Sequence, residues 1–340
     1  MFNWILFLAF LPILLLGVYL YRRFGILDNP TPYGFKRKPV PYSIGLFITL
    51  VWAMTVLGVM GLANLQVLSL VFAVLTLSVV GFVDDRRGLS PAFRLLVQIL
   101  LAVFLVSMGF ALESFSNFLA DGLQVLHLPN LGLFLSVFWI VFLINAMNFL
   151  DGIPSLTTGV SSTALVFLII LAQIPNFHVI DQALFLDLAL LTLPLWVASF
   201  VFEFPLKKPK FLPGDSGATV MGLLLAVFSI MAGGKLAILS LVLLLPLIDV
   251  LFVIARRIWQ GRKPWVGDYT SEHLHHILRF LGMPLSVIVI LYLTISASFG
   301  YLALNLWTST TKLVALVVLS LALVIFLSLI YNWNGYSRRN

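Results

Sequence analysis

The sequence contains no cysteine and has few charged residues: of its 340 residues, 10% are charged and 61% are hydrophobic. The absence of cysteine excludes disulfides, thiolate metal sites and cysteine nucleophiles. A soluble globular protein carries roughly 25% charged residues, so this composition predicts an integral membrane protein. The sequence shows no internal repeat, no soluble domain and no low-complexity segment. We therefore expect one transmembrane domain over residues 1–340.

The hydrophobic residues lie in long continuous runs rather than at alternating positions, which favours membrane-spanning helices over a barrel. Eleven runs approach the ~20 residues needed to cross a bilayer, and they predict an all-α bundle of about eleven transmembrane helices. The first run has no basic residue before it and no small-residue cleavage site, so we interpret it as a span and not a signal peptide. Pro246 is expected to kink the ninth. The predicted spans are about 4–20, 42–60, 66–83, 94–112, 131–149, 156–174, 184–202, 217–232, 236–255, 284–305 and 312–331.

The basic residues are distributed unequally between the two sides of the membrane. If loops alternate sides, every one of the 20 lysines and arginines except Lys235 and Lys312 falls on one side. Such a bias marks the cytoplasmic face, which predicts an outer amino terminus, a cytoplasmic carboxyl terminus and location in the cytoplasmic membrane. It also explains the net charge of +7 without nucleic acid. The candidate site residues share that face: Asp84, Asp85, Asp151, Asp215, Asp268, His273, His275 and His276.

Asp84 and Asp85 end the third predicted span and are followed by Arg86 and Arg87. Negative charge is unfavourable at a helix carboxyl terminus, and adjacent carboxylates repel each other unless a cation lies nearby. We expect that cation to be one of the arginines, a metal ion, or both. The alternative is a solvated loop that carries two acids by chance.

Asn145, Asn148 and Asp151 follow one another at intervals of three residues and therefore share a helix face. Amide and carboxylate oxygens are hard ligands suited to Mg²⁺. The alternative is hydrogen bonding between helices, for which asparagine is well suited in membranes.

Gly214-Asp215-Ser216-Gly217 precedes the eighth predicted span. An Asp or Ser at this position is an ordinary helix N-cap. A helix amino terminus flanked by glycines can also bind phosphate, and both interpretations stay open. Lys207, Lys208 and Lys210 are better explained as topology signals.

His273, His275 and His276 lie in a predicted loop that also contains Arg279. The His-x-His-His spacing differs from that of zinc sites, so contact with phosphate alongside arginine is the better interpretation. Asp249 lies within an apolar run, where an acid is costly unless it is paired. We expect a structural partner for it.

In this order, the motifs Asp-Asp, Asn-x-x-Asn-x-x-Asp-Gly, Gly-Asp-x-Gly and His-x-His-His, from about Asp28 to Arg279, resemble those of the polyprenyl-phosphate N-acetylhexosamine-1-phosphate transferases. These belong to glycosyltransferase family 4 and are related to the phospho-MurNAc-pentapeptide transferases. The His-x-His-His spelling is closer to the hexosamine branch than to the three consecutive histidines of the pentapeptide branch. Any one motif alone is weak.

The resemblance implies a Mg²⁺-dependent membrane enzyme, with Mn²⁺ as the alternative ion. It would transfer a HexNAc 1-phosphate from a UDP-sugar to polyprenyl (undecaprenyl) phosphate and release UMP. This would be the first membrane step of a cell-envelope glycan such as lipopolysaccharide or teichoic acid. The implied partners are the UDP-N-acetylhexosamine and the lipid, and homodimer formation is left open.

The resemblance also assigns residues. It implies catalytic roles for Asp84, Asp85, Asp151 and Asp215, with Asp84 variously assigned to the lipid nucleophile or the metal. It places the metal at Asp215 and Asn148. The implied substrate contacts are Arg94, Asn145, Asn148, His273, His275, His276 and Arg279.

Two positions depart from the family pattern. Pro154-Ser155 stands where Asp-Gly is usual, and the missing acid normally borders the nucleoside pocket. Thr270 stands where an Asp usually precedes the histidines, and Asp268 lies two residues earlier. The alternatives are a pentapeptide transferase, a catalytically silent relative and a secondary transporter. Transporters usually bind substrate near the bilayer midplane between repeated units, unlike the one-sided acids here.

Overall fold

The structure, a computed structural model, is described for residues 3–28, 38–112, 115–116, 125–126, 129–174, 182–205, 208–233, 236–263, 272–306 and 308–333. It is almost entirely helical, with one antiparallel pair of two-residue strands, β1 (Phe115–Ser116) and β2 (Val125–Leu126). The helices are α1 (Trp4–Arg23), α2 (Gly45–Met60), α3 (Leu65–Arg87), α4 (Pro91–Ser107), α5 (Pro129–Leu150), α6 (Leu156–Ala172), α7 (Gln182–Glu203), α8 (Asp215–Met231), α9 (Leu236–Val242), α10 (Leu244–Trp259), α11 (Leu274–Phe280), α12 (Leu285–Asn305) and α13 (Ser309–Trp333).

The helices confirm a multi-pass membrane protein. Six are long and apolar enough to cross a bilayer, and the bent pair α9–α10 would make a seventh. The remaining predicted spans correspond to shorter apolar helices, α2, α4, α6 and α8. The count of eleven crossings and the orientation stay predictions.

The ninth predicted span is not one helix. It is divided at Leu243 into α9 and α10, whose axes differ by 82°. The cause is Pro246, the third residue of α10. Its ring nitrogen has no hydrogen to donate to the carbonyl of Val242, and the ring collides with that carbonyl in a continuous helix. The expected kink at Pro246 is therefore confirmed, and the crossing of the membrane by this bent pair as one span stays a prediction.

α8 forms the centre of the bundle. Its residues from Ser216 to Met231 are all buried, and it packs against α2, α3, α5, α6 and α7. Glycines allow this close packing, since a Cβ on Gly81 would lie 2.7 Å from the Ser216 backbone, and one on Gly222 would lie 2.4 Å from the Leu143 carbonyl oxygen. The first residue of α8 is thereby brought to the ends of α3 and α5.

Two residues mark the start of α4. The Ser90 hydroxyl accepts the backbone N–H of Phe93 at 3.2 Å, and Pro91 occupies the first helical position. Both features favour a helix start. As a result Arg94 lies on the first turn of α4, opposite the end of α3.

Candidate active site

A small polar pocket lies where α3 ends, α4 begins, α5 ends and α8 begins. Its polar lining comes from four different helices, so residues distant in sequence meet here. The lining residues are Leu77, Val80, Gly81, Asp84, Arg94, Gln98, Asn148, Asp215 and Thr219.

Asp84 is held by two groups. Its Oδ1 atom accepts the backbone N–H of Leu89 at 2.6 Å, and its Oδ2 atom lies 2.5 Å from Arg94 Nη1. The cation beside Asp84 is therefore Arg94, and not Arg86 or Arg87 as expected, since both of these are exposed. An adjacent guanidinium offsets the unfavourable position of a carboxylate at the end of α3.

Asp215 faces Asp84 across the pocket. Its Oδ2 atom lies 3.3 Å from Arg94 Nη1 and accepts a hydrogen bond from Asn148 Nδ2 at 3.4 Å. The Asn148 Oδ1 atom is buried and has no hydrogen-bond partner. An oriented, unsatisfied amide oxygen beside a carboxylate is an arrangement that a cation would satisfy.

The donor set fits Mg²⁺. The possible ligand atoms of Asp84, Asp215 and Asn148 are oxygens, which Mg²⁺ prefers. Mg²⁺ is commonly bound by one or two carboxylates together with waters and substrate phosphates. Within the part of the chain that the structure describes, no group of three or more His, Cys, Asp or Glu side chains could hold a metal. Such a larger cage would suit zinc or calcium better.

Asp85 is arranged differently from its neighbour. Its Oδ1 accepts the backbone N–H of Asp215 at 3.2 Å, and its Oδ2 accepts that of Ser216 at 3.4 Å. Asp85 therefore binds the amino terminus of α8, where negative charge is favourable. The phosphate cradle considered for this terminus is not supported, because a carboxylate of the same chain already uses these two N–H groups.

The Asn-x-x-Asn-x-x-Asp motif is divided between the two roles considered for it. Asn145 donates to Gln98 Oε1 on α4 at 2.6 Å and to the Val141 carbonyl at 2.8 Å, which is hydrogen bonding between helices. Asn148 instead lines the pocket. Asp151 lies in the turn after α5. Burial raises the pKa of Asp151 well above its usual range, and the negative charges of Glu203 and Asp215 raise this pKa further.

The histidines lie against that turn. A Cβ on Gly152 would lie 2.2 Å from His275 Nε2 and 2.7 Å from His276 Nε2. The His273 and His275 rings are stacked with centroids 5.7 Å apart. Burial lowers the pKa of His275 well below its usual range and also lowers the pKa of Arg279 on the same helix. The motif therefore lies beside the turn that carries Asp151.

Asp249 has the structural partner expected of it. Its Oδ2 lies 2.9 Å from His273 Nδ1, and its Oδ1 accepts the backbone N–H of Leu274 at 2.9 Å. Asp249 and His273 are almost fully buried. One carboxylate therefore orients the first histidine of the motif and the start of α11.

A sequence model of glycosyl transferase family 4 matches residues 67–233, the segment from α3 to α8 that contributes every residue lining the pocket. A decaprenyl-phosphate N-acetylglucosaminephosphotransferase of Mycolicibacterium smegmatis is 30% identical over 76% of this chain and 70% of its own length. The chain belongs to glycosyl transferase family 4. It is accordingly an enzyme, a phosphotransferase of that family.

Two other relatives extend the comparison. A probable undecaprenyl-phosphate N-acetylglucosaminyl 1-phosphate transferase of Bacillus subtilis is 26% identical over 92% of this chain and 86% of its own. A phospho-N-acetylmuramoyl-pentapeptide-transferase of Staphylococcus saprophyticus is 24% identical over 79% of this chain and 85% of its own. Both branches considered from the sequence are thus represented among the relatives.

One departure from the family pattern has a visible backbone consequence. Ser155, at the position of the usual glycine, adopts φ 64°, a region that favours glycine. Pro154 and Ser155 are both buried, and the turn keeps the shape that a glycine would allow. Asp268, Thr270 and Lys207 lie outside the described residues, so the predictions on them stay as they were.

Sequence reasoning missed Glu203, Tyr42 and Ser43. Glu203, at the end of α7, is 1% exposed and accepts hydrogen bonds from Thr158 Oγ1 at 2.9 Å and Ser199 Oγ at 2.6 Å. An isolated acid at the end of an apolar run was the available signal. Tyr42 and Ser43 carry no such signal, because neither residue type is unusual at the start of a membrane helix.

Proposed function

We propose that this enzyme transfers a HexNAc 1-phosphate from a UDP-N-acetylhexosamine to polyprenyl phosphate, in a Mg²⁺-dependent reaction that releases UMP. A phosphate oxygen of the lipid attacks the β-phosphorus of the UDP-sugar. The bond between that phosphorus and the oxygen bridging to UMP breaks, which gives a polyprenyl-diphosphate sugar. Undecaprenyl phosphate is the lipid we favour, and the reaction would begin a cell-envelope glycan.

The observation that carries this proposal is the convergence of Asp84, Arg94, Asn148 and Asp215 on one pocket. Phosphoryl transfer requires little covalent chemistry from the protein, and it depends on positioning and on compensation of negative charge. The pocket contains a guanidinium and oxygen ligands for a cation, which supports both requirements. The names of the relatives, which act on polyprenyl phosphates, support the lipid acceptor.

Each residue has a proposed task. Asp84, Asn148 and Asp215 would hold Mg²⁺, and the ion when bound would neutralise charge on the diphosphate. Arg94 would contact a phosphate oxygen, for which a guanidinium is well shaped. His273, His275, His276 and Arg279 would close on the diphosphate beside Asp151. A lipid phosphate is already largely ionised at pH 7, since its second pKa is near 6. Asp84 therefore orders the phosphate and the ion more than it removes a proton.

The proposed setting is the cytoplasmic membrane, with one domain of eleven crossings, the amino terminus outside, and the site on the cytoplasmic face. The cysteine-free chain allows a direct test. Leu62 and Phe280 are exposed, at 69% and 65%, and lie in loops that the proposal assigns to opposite sides. An impermeant maleimide should label Leu62→Cys from outside the cell and Phe280→Cys only after permeabilisation. Equal labelling of both would refute the orientation.

The activity test uses purified protein in lipid nanodiscs with polyprenyl phosphate and Mg²⁺. We expect exchange of labelled UMP into a UDP-HexNAc and loss of this exchange with a chelator. A donor panel that includes UDP-GlcNAc, UDP-GalNAc and UDP-MurNAc-pentapeptide identifies the sugar. The Asp215→Asn variant should lack exchange, whereas Asp187→Asn, an exposed acid on α7, should retain it. Exchange with none of the donors would overturn the proposal.

A further inference from the structure

The carboxylate of Asp85 accepts hydrogen bonds from two other segments of the chain. Besides the two backbone N–H groups of α8, it accepts the Tyr42 hydroxyl at 3.0 Å on Oδ1 and the Ser43 hydroxyl at 2.5 Å on Oδ2. Each oxygen therefore has one hydroxyl and one amide donor. We call Tyr42, Ser43 and Asp85 the clasp.

The segment that carries Tyr42 and Ser43 is itself joined to the residues just before α8. Leu212 donates its N–H to the Pro41 carbonyl at 2.9 Å, and Gly45 donates its N–H to the Pro213 carbonyl at 3.0 Å. Ser43 is held at φ 63°, which is unfavourable for a residue other than glycine. Such a conformation persists where surrounding contacts require it, often at functional sites.

α8 has no side-chain cap of its own. Its N-cap is Gly214, at φ 68°, and the first N–H groups of a helix need acceptors. The clasp supplies them through Asp85. The fit is close, because a Cβ on Gly214 would lie 2.6 Å from Asp85 Oδ2. The position of the first turn of α8 is therefore determined by Asp85 and by the hydroxyls that orient it.

The first residue of that turn is Asp215. Its N–H is bound by Asp85 while its carboxylate lies in the pocket with Arg94 and Asn148. A displacement of the amide by a few tenths of an ångström would move the carboxylate with it. Metal and phosphoryl-transfer sites are sensitive to such displacements.

We propose that Tyr42 and Ser43 are positioning residues, which act through Asp85 to set the place of the Asp215 carboxylate and thus the affinity of the pocket for a divalent cation. In this arrangement the two acids of the Asp84-Asp85 pair have separate tasks. Asp84 faces the pocket, and Asp85 holds the helix that bears the opposite acid. The inference rests on the proposed function only in requiring a divalent cation at this pocket.

The test is Mn²⁺ binding by the full chain in nanodiscs, followed by electron paramagnetic resonance. Ser43→Ala is compared with a matched control, Ser229→Ala. Ser229 is also buried and accepts the Trp139 indole N–H at 2.9 Å, but it lies near the far end of α8. We expect Ser43→Ala to bind Mn²⁺ at least tenfold more weakly than the wild type, and Ser229→Ala to bind as the wild type does. Both variants should lower the unfolding temperature.

Tyr42→Phe provides a milder variant, which decides the question if Ser43→Ala does not fold. It removes one hydroxyl and should weaken Mn²⁺ binding about threefold, and raised Mg²⁺ should restore the activity of both clasp variants. Wild-type affinity in the clasp variants, or a loss equal to that of Ser229→Ala, would overturn the proposal. So would failure of the wild type to bind Mn²⁺. A wild type that binds Mn²⁺ without transferase activity refutes the proposed function. The comparison of Mn²⁺ affinities still tests whether the clasp positions Asp215.

Discussion

Arg94 Nη1 lies 3.3 Å from Asp215 Oδ2 although the two residues are 121 positions apart. The same nitrogen lies 2.5 Å from Asp84 Oδ2. One guanidinium thus neutralises two acids that would otherwise repel each other. A divalent cation that binds the same oxygens has to share them with Arg94 or displace it.

Replacement of Arg94 by methionine should therefore change two measurements in opposite directions. Mn²⁺ affinity, measured by electron paramagnetic resonance, should rise by about tenfold, since a competing positive charge is removed. Transferase activity should fall by about 10²–10³-fold, the usual cost of losing a group that compensates transition-state charge.

Arg87→Met is the control for Arg94→Met. Arg87 is exposed on the last turn of α3, so its loss changes the net charge equally without changing the pocket. It should leave both the Mn²⁺ affinity and the activity near wild type. Weaker Mn²⁺ binding by Arg94→Met would contradict competition between Arg94 and the cation for the two carboxylates.

Asp84→Asn should lower the transfer rate by at least about 10²-fold, because the amide carries no charge to attract a cation. The rate–pH profile is the informative measurement. If Asp84 orders phosphate and ion, the profile should keep its shape at a reduced height. A wild-type rate at every pH would remove Asp84 from the mechanism.

Gly214→Ala should inactivate the enzyme and lower its unfolding temperature. With φ 68° and ψ -172°, Gly214 has a backbone conformation that is essentially restricted to glycine, and a residue with a Cβ would be destabilised there by about 1–3 kcal/mol. The added Cβ would also lie 2.6 Å from Asp85 Oδ2. Gly61→Ala separates the two effects, since Gly61 has φ 74° but nothing within 4 Å of its Cβ position. The Gly61→Ala variant should have a lower unfolding temperature because of its backbone conformation alone, and it should retain activity.

Asp151→Asn should stabilise the protein at neutral pH while reducing activity. The folded-state pKa of Asp151 is raised, mainly by burial, so ionisation destabilises the folded state as pH rises above the unfolded value of about 3.9. The gain in unfolding temperature should therefore grow with pH and disappear below about pH 4. If the gain in unfolding temperature does not change with pH, its cause is packing and not the ionisation of Asp151.

Most of the helices could be predicted from the sequence because their apolar runs are continuous. Pro246 indicated that the ninth predicted helix would be interrupted, since a proline inside a helix removes a backbone hydrogen bond. The angle between α9 and α10 depends on how they pack against α12 and α13, and no local pattern encodes that.

The site was only partly predictable. Asp84, Asn148 and Asp215 stand in short motifs, and their meeting followed from the resemblance. The different task of Asp85 could not be foreseen, since its partner Ser43 lies 42 positions away and belongs to no motif. Adjacent acids on a helix point in directions about 100° apart. Which of them faces the pocket is decided by the packing of α3 against α8.

Because α8 is surrounded by other helices along its whole length, acyl chains do not touch the element that carries Asp215. Bilayer thickness changes the tilt of lipid-facing helices, and here those helices form the walls around α8. The catalytic geometry would then respond to membrane thickness only through these lipid-facing helices. A comparison of turnover in thin and thick bilayers would therefore measure how rigidly they hold α8 in place.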